Sequence, residues 1–422
     1  MSENLLTMLA LDIEKETIED VHRTKQEITA LDQYLNEARS LSEKKSVLII
    51  GGGIIGLVTG YFLQEIGFDV SIVEAKSFAA AASGRNGGAI MTLGRELSEI
   101  PYSLNSLQIW NQLSEKGIET HFKKNGHLMV ARNETEANIL RKSYELYVQA
   151  GIHVELLDNK SMKKYVPFLS DAIPLGIYSH DDGSAYPFTT SQSLLKSLKQ
   201  GGAKLYNHCH VEKIVTENNK IVAVQTAKRS FTADYFIIST GPWTQKICKE
   251  LSEHIPIRPR RSQLFATEIV RQNIIKPFFT GNGIYLRQTH AGNILFGGGG
   301  PWELDGYDLN NTIEAIQLQS GRFLELFPKL KNKKLLRTFA GTVELTPDYT
   351  PIMGKLMTLE NGFVSAGYNG HGFGISTVMG KLMSSYLYDH IHHIELNDTI
   401  KDMLKKLSVN RFEKAKETGD VL

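Results

Sequence analysis

The sequence is poor in cysteine, in long apolar runs and in any bias of charge. Its two cysteines, Cys209 and Cys248, stand far apart with no C-x-x-C pair. This excludes a disulfide framework and a thiolate zinc site, and it suits a reducing compartment. No apolar run approaches the roughly 20 residues of a membrane-spanning helix. A formal net charge of +1 over 422 residues leaves no basic footprint for nucleic acid or a polybasic membrane contact. The opening "MSENLLTMLALDIEKETIED" is acidic, unlike a signal or transit peptide. These absences lead to the expectation of a cytoplasmic protein, and the length to that of two domains.

What is present begins at Ser46. "SVLIIGGGIIGLVTGYFLQEIGFDVSIVEA" reads as strand, glycine turn, helix and strand. Val47–Ile50 has the β-branched, apolar character of a parallel strand buried on both faces. Gly51, Gly53 and Gly56 form G-x-G-x-x-G, with Ile54 and Ile55 opening the helix. The spacing provides a tight turn, an approach of backbone to a pyrophosphate, and close packing of helix on strand. Glu74, followed by Ala75, ends the second strand about 20 residues on, where a carboxylate accepts from ribose hydroxyls. An acid there disfavours a 2′-phosphate.

"AAASGRNGGAI" follows, with Arg85 and Asn86 held between glycines, a loop suited to passing a large planar ring. Near the C-terminus, "VSAGYNGHGFGISTVMG" repeats strand, glycine turn and helix start. A second helix N-terminus suits a flavin, whose reduction places negative charge near N1; the other reading is an ordinary loop before a surface helix. Residues 1–45 read as helical, with Ile18, Val21, Ile28, Leu31, Leu35 and Ala38 on one stripe. That stripe either packs on the body, docks a partner or lies on a membrane surface.

Five ordered motifs, "GGGIIGLVTGYFL", "ASGRNGG", "STGPW", "AGTVELTPDYTPIMG" and "GYNGHGFG", resemble the D-amino-acid oxidase, glycine oxidase and sarcosine oxidase superfamily. The resemblance runs from about Ser46 to His390. It is nearest the sarcosine oxidase β-subunit and dye-linked L-proline dehydrogenase β-subunit branch. It implies an α/β (α+β overall) fold: a Rossmann-type FAD-binding domain of segments 46–98, 186–256 and 335–422. A substrate domain on a mostly antiparallel sheet, 99–185 and 257–334, is inserted, and 1–45 is a helical extension. Gly51, Gly53 and Gly56 would hold the diphosphate and Glu74 the ribose. Ser83, Arg85, Asn86, Gly87 and Gly88 would line the flavin and its ribityl chain. Val211 would meet the adenine, and Gly241 the cofactor from below. Gly370, His371, Gly372 and Phe373 would sit at the pyrimidine end.

The departures from the family matter too. The G-x-R-P arginine that clamps a substrate carboxylate is replaced by Val343, with Glu344 after it, of open orientation. Arg287 and Arg260–Arg261 are the remaining candidates for a carboxylate. No cysteine or histidine stands where covalent members attach flavin, so FAD is expected to be non-covalent. The strand "NILFGG" lacks an oxygen-activating lysine, which favours a dehydrogenase.

The reaction this implies is hydride removal from a CH–NH bond of a secondary or N-methylated amine or amino acid, followed by imine hydrolysis. Tyr285 and Arg287, two apart on one strand, either touch substrate or form a solvated outer face. His371 either meets flavin or substrate or is a turn histidine, and Tyr368 either does the same or packs. "HCH" at His208–His210 reads as plain strand residues, with no metal, and Gly297–Gly300 as a strand-to-helix turn. The alternatives are an oxidase of primary amino acids or 2-hydroxy acids, an FAD-binding subunit of a hetero-oligomer joined through residues 1–45, and a silent FAD-binding assembly factor.

Overall fold

The structure, a computed structural model, describes residues 17–38, 44–270, 273–300, 303–393, 396 and 398–412, with the side chains of 32–38 left out. The buried β-branched run Ser46–Ile50 sits inside a six-stranded sheet. It pairs in parallel with Asp69–Val73 on one side and Tyr235–Ile238 on the other. Gly362–Ala366 joins Tyr235–Ile238 in parallel, and Lys204–Tyr206 joins Asp69–Val73. Only the edge strand Ile352–Lys355 runs antiparallel. The parallel strands therefore end together, and a ligand crevice forms beyond such ends.

A second sheet of eight strands is mostly antiparallel, with one parallel pair between Phe278–Gly281 and His127–Ala131. Its longest pairing joins Arg258–Ile269 to Leu335–Leu345. This places 335–345, which the sequence boundaries grouped with the nucleotide segments, in the second sheet. The helix Ile100–Glu115, grouped with the inserted segment, instead buries Leu107, Ile109, Trp110 and Leu113 in the core around the first sheet.

The helix Gly372–His392 closes that core. It is buried from Phe373 to Ser385 and packs on the helix Ile54–Glu65 and on Ile100–Glu115. Trp110 Nε1 and Ser106 Oγ donate to the Gly374 carbonyl at 2.9 and 2.7 Å, fixing the first turn. Gly380 allows the helices to touch: a Cβ there would stand 2.9 Å from the Thr59 backbone nitrogen.

The helix Ile18–Ala38 bridges the two parts of the molecule. Val21 is buried with Ile100, Leu140 and Tyr147, while Ile28 and Leu31 enter the core of the first sheet. Their face of the stripe is thus covered by the chain itself and is not open for docking. Leu35 and Ala38 fall among the side chains outside the described residues. No helix among the described residues is long and apolar enough to cross a membrane.

Gly380→Val is expected to destabilise the fold by about 1–3 kcal/mol through overpacking of this helix pair. Urea unfolding checks it: the midpoint should fall with an unchanged slope, and an unchanged midpoint would show that the helices can part without cost.

Candidate active site

One cavity of about 1340 Å³ opens beyond the C-terminal ends of the parallel strands and continues under the second sheet. That exceeds the roughly 300–1,000 Å³ of a pocket for a single drug-sized ligand. The first part is a backbone cradle. Gly53 is the N-cap of the helix Ile54–Glu65 and, being a glycine, supplies no side-chain cap. The Ile54 N–H donates to Ser83 Oγ at 2.8 Å. The following amides and the helix dipole are left to an anion. Gly51, at φ +111°, has no room for a Cβ, which would run into the Ser239 carbonyl. Gly56 lies behind the wall, where its missing side chain lets the helix rest on the Gly51 carbonyl. Ser239 Oγ is buried without a partner at the cavity wall, a donor that suits a polar ligand. These features fit a dinucleotide.

The other expected residues fall along the same wall. Glu74, Ala75 and Val211 line one end, where Glu74 accepts from the Gly52 N–H at 2.9 Å and the Lys76 N–H at 2.7 Å. Ser83, Arg85, Asn86, Gly87 and Gly88 form a loop along the middle. Asn86 holds that loop by accepting from Gly88 N and donating to the Ser83 carbonyl, while Arg85 ties it to the Ala340 carbonyl. Gly241, Tyr368, Gly370, His371, Gly372 and Phe373 complete the opposite side. His371 is the N-cap of the second helix that starts at the cavity, again with no side-chain cap.

Several readings of the sequence change here. His208–His210 are not strand residues: they form a turn, His208 at φ +51°, tied to the Lys76 and Glu74 carbonyls. Gly297 and Gly298 lie within the strand Asn293–Gly298, and the next helix begins only at Ile313. Tyr285 and Arg287 are not a solvated face, because their strand is covered on both sides. Tyr285 lines the cavity with its ring against Gly87, and burial pushes its phenol up. Arg287 is not a wall residue; its guanidinium lies 4.5 Å from the Tyr186 ring centroid. Arg260 and Arg261 reach the wall, but Arg261 is held in a buried ion pair with Glu303 at 2.9 Å.

Three groups at the site went unread in the sequence. Arg95, 3% exposed, lines the cavity with Nη1 lacking any hydrogen-bond partner. Its Nε stands 3.5 Å from Glu99, and Glu99 accepts from or faces His371 Nδ1 at 2.9 Å. Burial alone would raise the Glu99 carboxyl, but the charges of His371 and Arg95 outweigh it and hold it at about 2. Thr280 lies on the same wall, opposite Tyr285 in the strand pairing. Glu344, left open by the sequence, faces the cavity and accepts from the Tyr368 N–H at 3.1 Å. It presses on Gly241, where a Cβ would be 2.8 Å from its Oε2. Among the described residues no cluster suited to a metal occurs.

With this geometry in place, the comparisons with known proteins agree. The family described as FAD dependent oxidoreductase (DAO) matches residues 46–386. The chain is similar to gamma-glutamylputrescine oxidoreductase of Escherichia coli (strain K12), 26% identical over 81% of this chain and 83% of that protein. It is also similar to monomeric sarcosine oxidase of Bacillus sp. (strain NS-129), 24% identical over 87% and 100% of the respective chains. The structure of L-proline dehydrogenase from P. horikoshii matches with a TM-score of 0.80 at 27% identity, covering 89% of this chain and 99% of that one.

Glu344 yields a pH dependence. Burial raises its carboxyl from 4.5 to about 7, against the opposing bonds from Tyr368 and Gly367. The folded protein then binds more protons than the unfolded chain between these values, so stability falls as pH rises through that window. Glu344→Gln is expected to add up to roughly 3 kcal/mol at pH 8 and little at pH 4. Urea unfolding of the cofactor-free protein at both pH values tests this, and an equal effect at both would contradict it.

Proposed function

Because the chain belongs to the FAD-dependent oxidoreductase family, we propose that it oxidises the CH–NH bond of a secondary or N-methylated amino acid. The observation that supports this reading is the continuity of the cavity. The dinucleotide cradle opens directly into a chamber walled by Met91, Leu93, Met129 and Ile284, with Arg95, Thr280 and Tyr285 among its polar groups. Small apolar surroundings with a few placed polar groups suit a compact substrate.

FAD, when bound, would supply the two-electron chemistry, as acceptor of the hydride lost from the carbon next to nitrogen. The protein's part is to hold, orient and exclude water. The backbone at Gly51, Gly53 and the start of Ile54–Glu65 would hold the diphosphate, and Glu74 the ribose. The uncapped start of Gly372–His392 would face the pyrimidine ring, where its amides favour negative charge. Arg95 would receive the substrate carboxylate on its unpaired Nη1, doing from a different element what Val343 cannot. Neither cysteine favours a covalent link: Cys248 is not a wall residue, and Cys209 stands beside Val211 at the Glu74 end. A thioether link to FAD is therefore not expected.

Anaerobic titration tests the reading. Sarcosine or L-proline is expected to bleach a yellow protein, and bleaching by D-alanine alone would favour an oxidase of primary amino acids. Arg95→Met is expected to raise KM for L-proline about 10- to 100-fold, as for loss of hydrogen bonds to a charged group, while pyrrolidine changes little. Equal losses for both would remove the carboxylate role. Gly53→Asp should purify without flavin absorbance, since its carboxylate would oppose the diphosphate; full flavin content would contradict the cradle.

A further inference from the structure

A line of buried polar groups leads from the chamber wall into the second sheet. His127 opens the strand His127–Ala131 and is fully buried. Its Nε2 lies 2.8 Å from Thr280 Oγ1. Its Nδ1 has no hydrogen-bond partner and stands 3.4 Å from Asp182 Oδ2. Asp182 is also fully buried, and it accepts from Thr92 N at 2.9 Å, Thr92 Oγ1 at 2.8 Å and Leu93 N at 3.2 Å. The line thus runs from carboxylate to imidazole to hydroxyl, and the hydroxyl is at the cavity wall.

The placement of Thr280 gives the line its direction. In the strand pairings Thr280 is opposite Tyr285 on one side and Met129 on the other, and all three border the chamber. Tyr285 in turn lies on Gly87 of the loop beside the cradle. A histidine serving only to fill the core would have its ring nitrogens closed off inside the protein. Here one nitrogen is bonded to a wall hydroxyl, and the other is left beside a carboxylate that is already supplied with three donors. Such an order lets an imidazole take a proton through a hydroxyl while the carboxylate faces the resulting charge.

Amine oxidation needs this step. An aliphatic amine is protonated at neutral pH, with a pKa of about 10, and an ammonium has no lone pair to drive hydride departure. We propose that Thr280, His127 and Asp182 form a proton relay that takes the proton from the substrate's ammonium group, an inference that rests on the amine-oxidation reading above. The ammonium N–H donates to Thr280 Oγ1 as the Thr280 hydroxyl proton passes to His127 Nε2. The substrate loses one proton and the imidazole gains one, with no change of oxidation state. Asp182 faces the imidazolium at Nδ1. Thr280 is the group that meets the nitrogen; His127 and Asp182 act through it.

The other neighbours of His127 do not compete for the proton. Phe278 meets the ring edge-on at 5.6 Å, and Ser179 is the partner residue on the strand Leu175–Ser179. Beyond Asp182, Tyr147 accepts from Gly94 N, and burial pushes its phenol up to about 12. Arg95, past the same turn, faces Glu99.

The test uses the FAD-loaded protein with Thr280→Val, which removes the hydroxyl at similar volume, and Thr280→Ser, which keeps it. Anaerobic bleaching by sarcosine and L-proline is timed from about pH 6 to pH 10, and the His127 ring signal is followed in protein carrying isotope-labelled histidine. T280V is expected to slow bleaching roughly 100-fold at pH 7, within the usual range for proton transfer by a positioned group. The deficit should shrink toward pH 10, where about half of the free amine is already neutral. T280S should recover most of the rate. The His127 signal should move in T280V and hold in T280S. Support requires both the pH-dependent deficit and the moved signal. T280V bleaching at the wild-type rate, a deficit equal at every pH, or an unmoved signal each overturns the relay alone. A wild-type protein that neither probe bleaches overturns the amine-oxidation reading and the relay with it.

Discussion

Backbone amides must reach an anion with no side chain between them, and the rest of the molecule is arranged around that requirement. Two helices, Ile54–Glu65 and Gly372–His392, start at the cavity without a side-chain cap. Uncapped first turns leave donors unsatisfied, which is unfavourable unless a ligand or water takes them. The parallel sheet makes the arrangement possible, because the ends of Ser46–Ile50, Tyr235–Ile238 and Gly362–Ala366 fall side by side. The buried run of the second helix from Phe373 to Ser385 fixes where its amides point, and Gly380 lets it lie close against the first.

The two halves of the cavity are joined through charge as well as shape. Glu99 links Arg95 in the chamber to His371 at the second helix start. Removing either Arg95 or Glu99 leaves the other charge uncompensated, and the Glu99 contact to His371 ties the chamber to the cradle. Glu344 is of a different kind: a carboxyl that burial holds near neutrality, pressed against Gly241. Its raised value destabilises the ionised fold, a cost that is common at functional sites.

Much of the cradle was legible because its signal is local. Gly51, Gly53, Gly56 and Glu74 fall within one strand–helix–strand unit, whose periodicities and turns can be read directly. Val211 and Gly241 had no such signal and came only from resemblance, whereas the Gly370–Phe373 turn was legible as a second strand, glycine turn and helix start. The chamber was hidden because long-range pairing builds it. His127 meets Thr280 across 153 residues, and Glu99 meets His371 across 272. Arg95 has no local signal, because its partner Glu99 and the cavity it lines are set by the fold. Arg287 misled for a related reason: alternation assigns a face only when one side of a strand is wet, and Ile284–Gln288 is covered on both. The "HCH" segment misled through the alternation of its two histidines; the turn that holds it is set by bonds to the Glu74 and Lys76 carbonyls.

The most direct measurement is a deuterium isotope effect on flavin bleaching, with sarcosine carrying a deuterated N-methyl group or L-proline deuterated beside nitrogen, under anaerobic conditions. The account predicts a yellow protein whose bleaching slows several-fold when the carbon next to nitrogen is deuterated. Bleaching without an isotope effect, or a flavin that neither compound reduces, would contradict hydride removal from the CH–NH bond.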